Sequence, residues 1–218
     1  MHERIRRRLV MPWTEAEWTV ASMGHPVARL YLKGEADAGN RLLREYTAAH
    51  EAGHALMATH VGMRVRRAQI ATLRVIEDAE TGTAMCLGFC EYQDRAHDVV
   101  SDLLVDLAGI AGHELVYGNG WGLDSAAWTA PEDVGELADE GIAGGDVWTA
   151  RETIKRQMRM GRRVLGKATT VEALVAAYEQ AEAILNGCRG RLLRLAGHLL
   201  SEGAADRSVI RSTYDLGE

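Results

Sequence analysis

The 218-residue chain has no run approaching the roughly 18 consecutive apolar residues that a membrane-spanning helix needs. Its basic start, MHERIRRRLVMPW, has none of the apolar segment of a secretory signal. Both absences point to a cytoplasmic protein with no membrane partner. Three cysteines, Cys86, Cys90 and Cys188, make an odd count that fits reduced thiols better than a disulfide framework. Excess positive charge is missing too: 25 basic against 31 acidic residues leave a net charge of -6, which argues against a nucleic-acid partner. Aromatics are sparse, with one Phe beside five Trp, and there is no internal repeat or low-complexity tract. What is left is an ordinary globular composition, 47% hydrophobic and 26% charged. That length supports one principal core, expected over residues 36–218 behind an N-terminal arm at 1–35. The arm carries Arg4, Arg6, Arg7 and Arg8 and a short amphipathic piece from Pro12 to Met23; it reads as a solvated face or frayed end in preference to an arm for a nucleic-acid or acidic partner, and the sequence does not decide its role.

Apolar spacing supplies the elements. Gly34 to Gly39, GEADAG, reads as a loop, and Asn40 to about Val61 is helical, with Leu42, Tyr46, Ala49, Gly53, Leu56 and His60 recurring every three to four residues. Gly53 costs that helix about 1 kcal/mol relative to Ala, so something is expected to pack closely on the backbone there, such as a metal site beside a strand. Arg66 to Ile76 and Thr83 to Tyr92, rich in β-branched and apolar residues, read as two strands of a hairpin or small sheet. A second long helix is expected from His97 to Tyr117, stopped by Gly118, and a third from Asp146. Between them lies a long connection with room for a short helix from Pro131. Further helices are expected at Thr170 to Asn186 and Arg189 to Ser201, with a short terminal piece after Asp206. The fold class is therefore mainly α with a small β-hairpin or sheet, an α+β arrangement.

The first helix carries His50-Glu51-Ala52-Gly53-His54. Histidines four apart lie on one face of a helix, about one turn from each other, so both imidazoles reach one metal ion. A glutamate directly after the first ligand is placed to meet a metal-bound water, which makes Glu51 the candidate general base. The pattern is H-E-x-x-H, and it points to zinc and hydrolysis.

A catalytic zinc needs a third protein ligand and keeps one position for water. His60 has the ten-residue spacing of a metzincin, but Met57 stands where that motif needs Gly. A continuing helix then carries His60 about 9 Å past His54 and off its face. His113, Glu114 and Asp146 stay open, with spacing alone favouring Glu114 and Asp146 equally.

Beyond the motif, Tyr46 to Leu56, YTAAHEAGHAL, closely resembles the start of the peptidase domain of the FtsH family of ATP-dependent zinc proteases. Ala68 to Arg74 with Gly82 to Tyr92 is similar to that domain's strand pair. Asp106 to Gly118, DLAGIAGHELVYG, resembles its helix ending in G-G-R-A-A-E-E-L-x-x-G, and Gly144-Gly145-Asp146 its G-A-S-N-D segment. These four ordered blocks span about Tyr46 to Arg163. The resemblance implies a zincin-like helical metallopeptidase domain in which His50, His54 and Asp146 bind Zn2+ and Glu51 is the base. It matches Glu114 to the second glutamate of A-E-E-L, a supporting or structural group and not a ligand, while His113 replaces the first.

The departures shape the functional expectation. The stretch between Gly118 and Gly144 looks longer than the family's connection, and no ATPase module is found. Gly161 to Ala168, GRRVLGKA, nearly fits a phosphate-binding loop but has Ala where a hydroxyl should meet magnesium and follows a helical run instead of a strand. The expected activity is that of a zinc metalloendopeptidase, ATP-independent on its own, acting on peptides or unfolded segments. A separate ATPase or a homo-oligomer is a possible partner. The rival is a catalytically silent, zinc-stabilised interaction or adaptor module. Cys86 and Cys90 read as small buried thiols between apolar neighbours, and Arg156, Arg159, Arg162 and Arg163 as a solvated face.

Overall fold

A computed structural model describes residues 36–70, 74–76, 83–85, 88–93, 98–117 and 144–216. The expected N-terminal arm, Cys86, His97 and the 119–143 stretch lie outside the described residues. Helix α1 runs Ala36–His60, so residues 36–39 of the expected loop are helical. Ala36 and Ala38 favour a helix, and Asp37 sits in the first turn, where the helix dipole welcomes a negative charge.

Every residue of α1 from Tyr46 to Ala58 is buried, which makes it a central helix and not an amphipathic surface one. Helix α2, Val99–Tyr117, is its principal partner. The two cross through small residues. A side chain on Gly53 would strike the Ala108 carbonyl, and one on Gly112 would come 2.8 Å from the Ala49 carbonyl oxygen and 3.1 Å from Gly53 Cα. The close approach expected at Gly53 is there, but it comes from a second helix and not from a strand. Helix α3, Gly144–Arg159, packs on α2.

The two strands expected from the sequence are an antiparallel hairpin in two pieces. Strand β1 (Val65–Ile70) pairs with β4 (Gly88–Tyr92), and β2 (Arg74–Ile76) with β3 (Thr83–Met85). Ile70 opposes Gly88 and Arg74 opposes Met85, so the two ladders are one residue out of step and separate. A strand absent from the sequence reading, β5 (Ala204–Asp206), joins the other side of β1, giving the antiparallel order β4-β1-β5. Its Ala-Ala-Asp carries no β-branched signal; pairing with β1 makes it a strand.

Helix α4 (Thr170–Asn186) packs on α2, and α5 (Arg189–Glu202) on α1. Gly203, at φ 77°, turns the chain out of α5 into β5, and α6 (Arg207–Asp215) follows. Among the described residues, no helix is long and apolar enough to cross a membrane.

Candidate metal and catalytic site

The i, i+4 spacing holds His50 and His54 edge to face, with ring centroids 4.6 Å apart and Nε2 atoms 3.0 Å apart. Asp146, in the first turn of α3, closes a triangle: its Oδ2 lies 2.9 Å from His50 Nε2 and 3.1 Å from His54 Nε2. Ligands on a tetrahedral ion with zinc bond lengths are separated by about 3.3 Å, close to these sides. A cluster of buried His50 and His54 with partly exposed Asp146, able to coordinate a metal ion, is thus present, with the three donor atoms within 4.8 Å of one another.

The surroundings orient these groups. His54 Nδ1 sits 2.7 Å from the Val105 carbonyl oxygen of α2, so it donates there and turns the Nε2 lone pair inward. One turn along α2, Gly109 lets both imidazoles rest on the helix backbone, because any side chain there would run into His50 and His54. His113 stacks on His50 at 5.9 Å and 21°, and Tyr46 stacks on His113 at 5.7 Å, a column that holds the His50 ring plane.

Burial opposes a positive charge on His54, but the Asp146 carboxylate, helped by Glu51 and the Val105 carbonyl, outweighs it and lifts the imidazole to about 9. Burial likewise opposes charge on Asp146, yet His54 and the hydrogen bonds from both histidines hold its carboxyl far below the ordinary carboxylate range. The triangle therefore favours a cation, and the proton on His54 stands where a divalent metal would bind. The donor set, two imidazoles and a carboxylate, suits a divalent metal ion, zinc among them.

Glu51 is buried beside the cluster. Burial raises its pKa and Asp146 adds to the rise, while His50 and His54 pull it back. Its Oε1, Cδ and Cγ lie directly on Gly88 of β4, where a Cβ would collide with all three. Its Oε2 is buried with no hydrogen-bond partner among the described residues, as is His50 Nδ1. A buried carboxylate with a raised pKa and an oxygen without a partner among the described residues can take a proton and return it.

The other sequence candidates lie elsewhere. His60 is exposed at the end of α1, with Nδ1 3.2 Å from the Tyr214 hydroxyl. Glu114 is buried at the α2–α4 contact, where it accepts a hydrogen bond from Tyr178. Arg156, Arg159, Arg162 and Arg163 are exposed, as expected. Cys90 is half-buried and packs against the hydrophobic core, as expected of a small apolar thiol, while its neighbour Phe89 is on the other face of the strand and 46% exposed.

Several groups around the site went unmarked in the sequence. Gly88 and Gly109 are two of them. Asp106, one turn before Gly109, is pushed up to about 7 chiefly by burial, with His54 opposing and Asp146 and Asp102 adding to the rise. Its signal was a carboxylate at a position of α2 that shares the apolar periodicity. Comparison of the chain with protein-family models and with curated proteins finds no match.

Proposed function

We propose that this protein is a zinc-dependent peptide hydrolase in which His50, His54 and Asp146 hold the ion and Glu51 is the general base. The observation that carries the proposal is Glu51 itself, a buried carboxylate in electrostatic contact with all three metal-donor residues, whose Oε2 has no hydrogen-bond partner among the described residues. A bound Zn2+ supplies Lewis acidity, polarising a carbonyl and bringing the pKa of water toward 7. Glu51 then takes the proton of the attacking water and delivers it to the departing amine nitrogen, a shuttle its raised pKa suits. Among the described residues β4 pairs with β1, and an extended peptide adding as a strand along its other edge would run beside Gly88, the residue that touches Glu51. The resemblance of four sequence blocks to the FtsH peptidase domain supports the same chemistry. Peptides and unfolded segments are the substrates this reading favours, alone or delivered by a separate ATPase.

The test is Glu51→Gln. Purified wild type should contain one zinc per chain and cleave an unfolded protein such as casein. The variant should keep the zinc and lose at least about 1000-fold in turnover, since the proton shuttle is gone. Stoichiometric zinc without turnover in the wild type would instead identify a silent, zinc-stabilised module.

A further inference from the structure

The end of α1 and the last helix enclose a hollow away from the metal cluster. Gly62, at φ 84°, lets the chain turn out of α1, and the Met63 amide bonds back to the Ala58 carbonyl at 2.8 Å, which sets Arg64 immediately before β1. On α6, Arg207, Arg211 and Tyr214 follow at i, i+4 and i+7 and share one side of the helix. The two stretches border a cavity of about 250 Å³. Met63, Val65 and Ile210, all buried, give it an apolar floor, while Arg64, Arg207 and Arg211 are exposed around it. Tyr214 is shared with a second cavity, of about 320 Å³, which Ile184 and Arg191 also line. Its hydroxyl lies 3.2 Å from His60 Nδ1, and the Arg191 guanidinium stands 5.4 Å from its ring centroid.

The charge of this band is opposite to that of the chain. Four arginines line the two cavities against one carboxylate, Asp215, on a protein of net charge -6. Asp215 pairs with Arg211 at 3.3 Å, and the neighbouring Asp206 is turned to the amides of Ser208 and Val209. Arg207 and Arg191 meet no carboxylate among the described residues; Arg191 bonds the Leu216 carbonyl instead. A fitting occupant uses both features of the hollow. Guanidiniums take carboxylates through paired hydrogen bonds, and the floor takes aliphatic side chains out of water. A nucleic-acid backbone would use only the first, and the net negative charge of the chain repels a long polyanion.

We propose that the hollow between the end of α1, the start of β1 and α6 docks a peptide segment of a partner protein in which acidic residues alternate with aliphatic ones. Its carboxylates meet Arg64, Arg207 and Arg211, and an aliphatic side chain rests on the floor of Met63, Val65 and Ile210. The docking is separate from the hydrolytic reading above. Val65, which lines the hollow, is at one end of β1, and Ile70, which opposes the Gly88 that touches Glu51, is at the other. A peptide held here therefore leaves the metal cluster open, and the partner is recruited without being positioned for cleavage.

The experiment follows the fluorescence polarisation of a fluorescein-labelled Glu-Leu-Asp-Glu-Val-Asp-Glu-Leu peptide added to the zinc-loaded 218-residue chain carrying Glu51→Gln, so that the probe stays intact. Saturable binding in the micromolar range is expected, weakening as salt is raised from about 50 mM to about 500 mM. Adding Arg207→Glu and Arg211→Glu should weaken it at least about tenfold, because like charges then face each other, with thermal midpoint and zinc content unchanged at these exposed positions. The same peptide with Gln and Asn for its acidic residues, or with Ser for Leu and Val, should each bind at least about tenfold more weakly. Absence of saturable binding, unchanged binding in the doubly reversed protein, equal binding of either altered peptide, or tighter binding of a mixed-sequence RNA overturns the assignment. Each of these outcomes leaves the zinc site and the role of Glu51 standing, whereas failure to bind zinc or to cleave casein touches those and not the hollow.

Discussion

The convergence of α1, α2 and α3 and the stretch from Thr169 to Asp215 are both helical, yet they are built by opposite means. In the later stretch, Leu174, Ala177, Tyr178, Ala181 and Leu185 bury one face of α4, and Leu192, Leu195, Ala196 and Leu199 one face of α5. Side chains finish two of the three helix starts: Thr169 and Glu172 form a reciprocal capping box at α4, and Asp206 accepts from the backbone of Ser208 and Val209 at α6, while α5 starts at Cys188 without one. The convergence of the first three helices puts Gly53, Gly109 and Gly112 inside helices and buries His50, Glu51, His54, His113 and Glu114. Each of these choices costs stability by itself. The packing of α4 and α6 follows the local rules closely, and the widest departure from them falls where three metal-donor atoms and a buried carboxylate come together.

Gly109→Ala breaks that contrast most directly. Ala is the better helix former by about 1 kcal/mol, so on propensity alone the change should stabilise α2. The added methyl nevertheless falls on the His50 and His54 rings. Zinc affinity should drop on the order of 100-fold, and the thermal midpoint of the chelated protein should fall as well, because overpacking of about 1–3 kcal/mol outweighs the gain in propensity. Zinc binding at wild-type strength, measured by competition with a chromophoric chelator, would show that the glycine does not shape the site.

The next largest effect is on pH dependence. With its pKa raised to about 9, His54 carries a proton at neutral pH in the metal-free protein, and a metal needs that Nε2 lone pair. Binding should release about one proton, so log K for zinc rises by roughly one per pH unit up to about 9 and then levels. The stability of the chelated protein runs the other way. A histidine raised from 6.5 to about 9 contributes stability that is fully present below 6.5 and lost as pH climbs through 9. The gap in thermal midpoint between zinc-loaded and chelated protein should therefore widen from pH 6.5 to 9, and a constant gap would count against His54 as a ligand.

How much of this could be read in advance follows from the range of each interaction. His50, Glu51 and His54 were legible because their geometry is set within two helical turns. Asp146 lies 92 residues beyond His54 and was reached through resemblance, not spacing. Helices α4 and α5 were legible from apolar periodicity. Gly88 was not, because its role is set by contact with Glu51, 37 positions earlier, and a glycine in a strand looks like simple weakness. Asp106 counted among the positions that mark the apolar periodicity of its helix; its place near Asp146 of α3 is set by tertiary packing.

The smallest effect is on the other side of the comparison. Thr169→Ala removes the side chain that accepts from the Glu172 amide, leaving one donor in the first turn of α4 to water. The position is exposed and far from any metal donor in sequence, so the cost should be about 1 kcal/mol in urea unfolding and nothing in zinc affinity or casein turnover. Because α4 packs on α2 and Tyr178 bonds to Glu114, a helix start that loosened the whole of α4 would be felt at His113 and the His50 ring stacked on it. A change in zinc affinity larger than threefold or so, about 0.7 kcal/mol, would mean the two regions are coupled through that contact and not independently built.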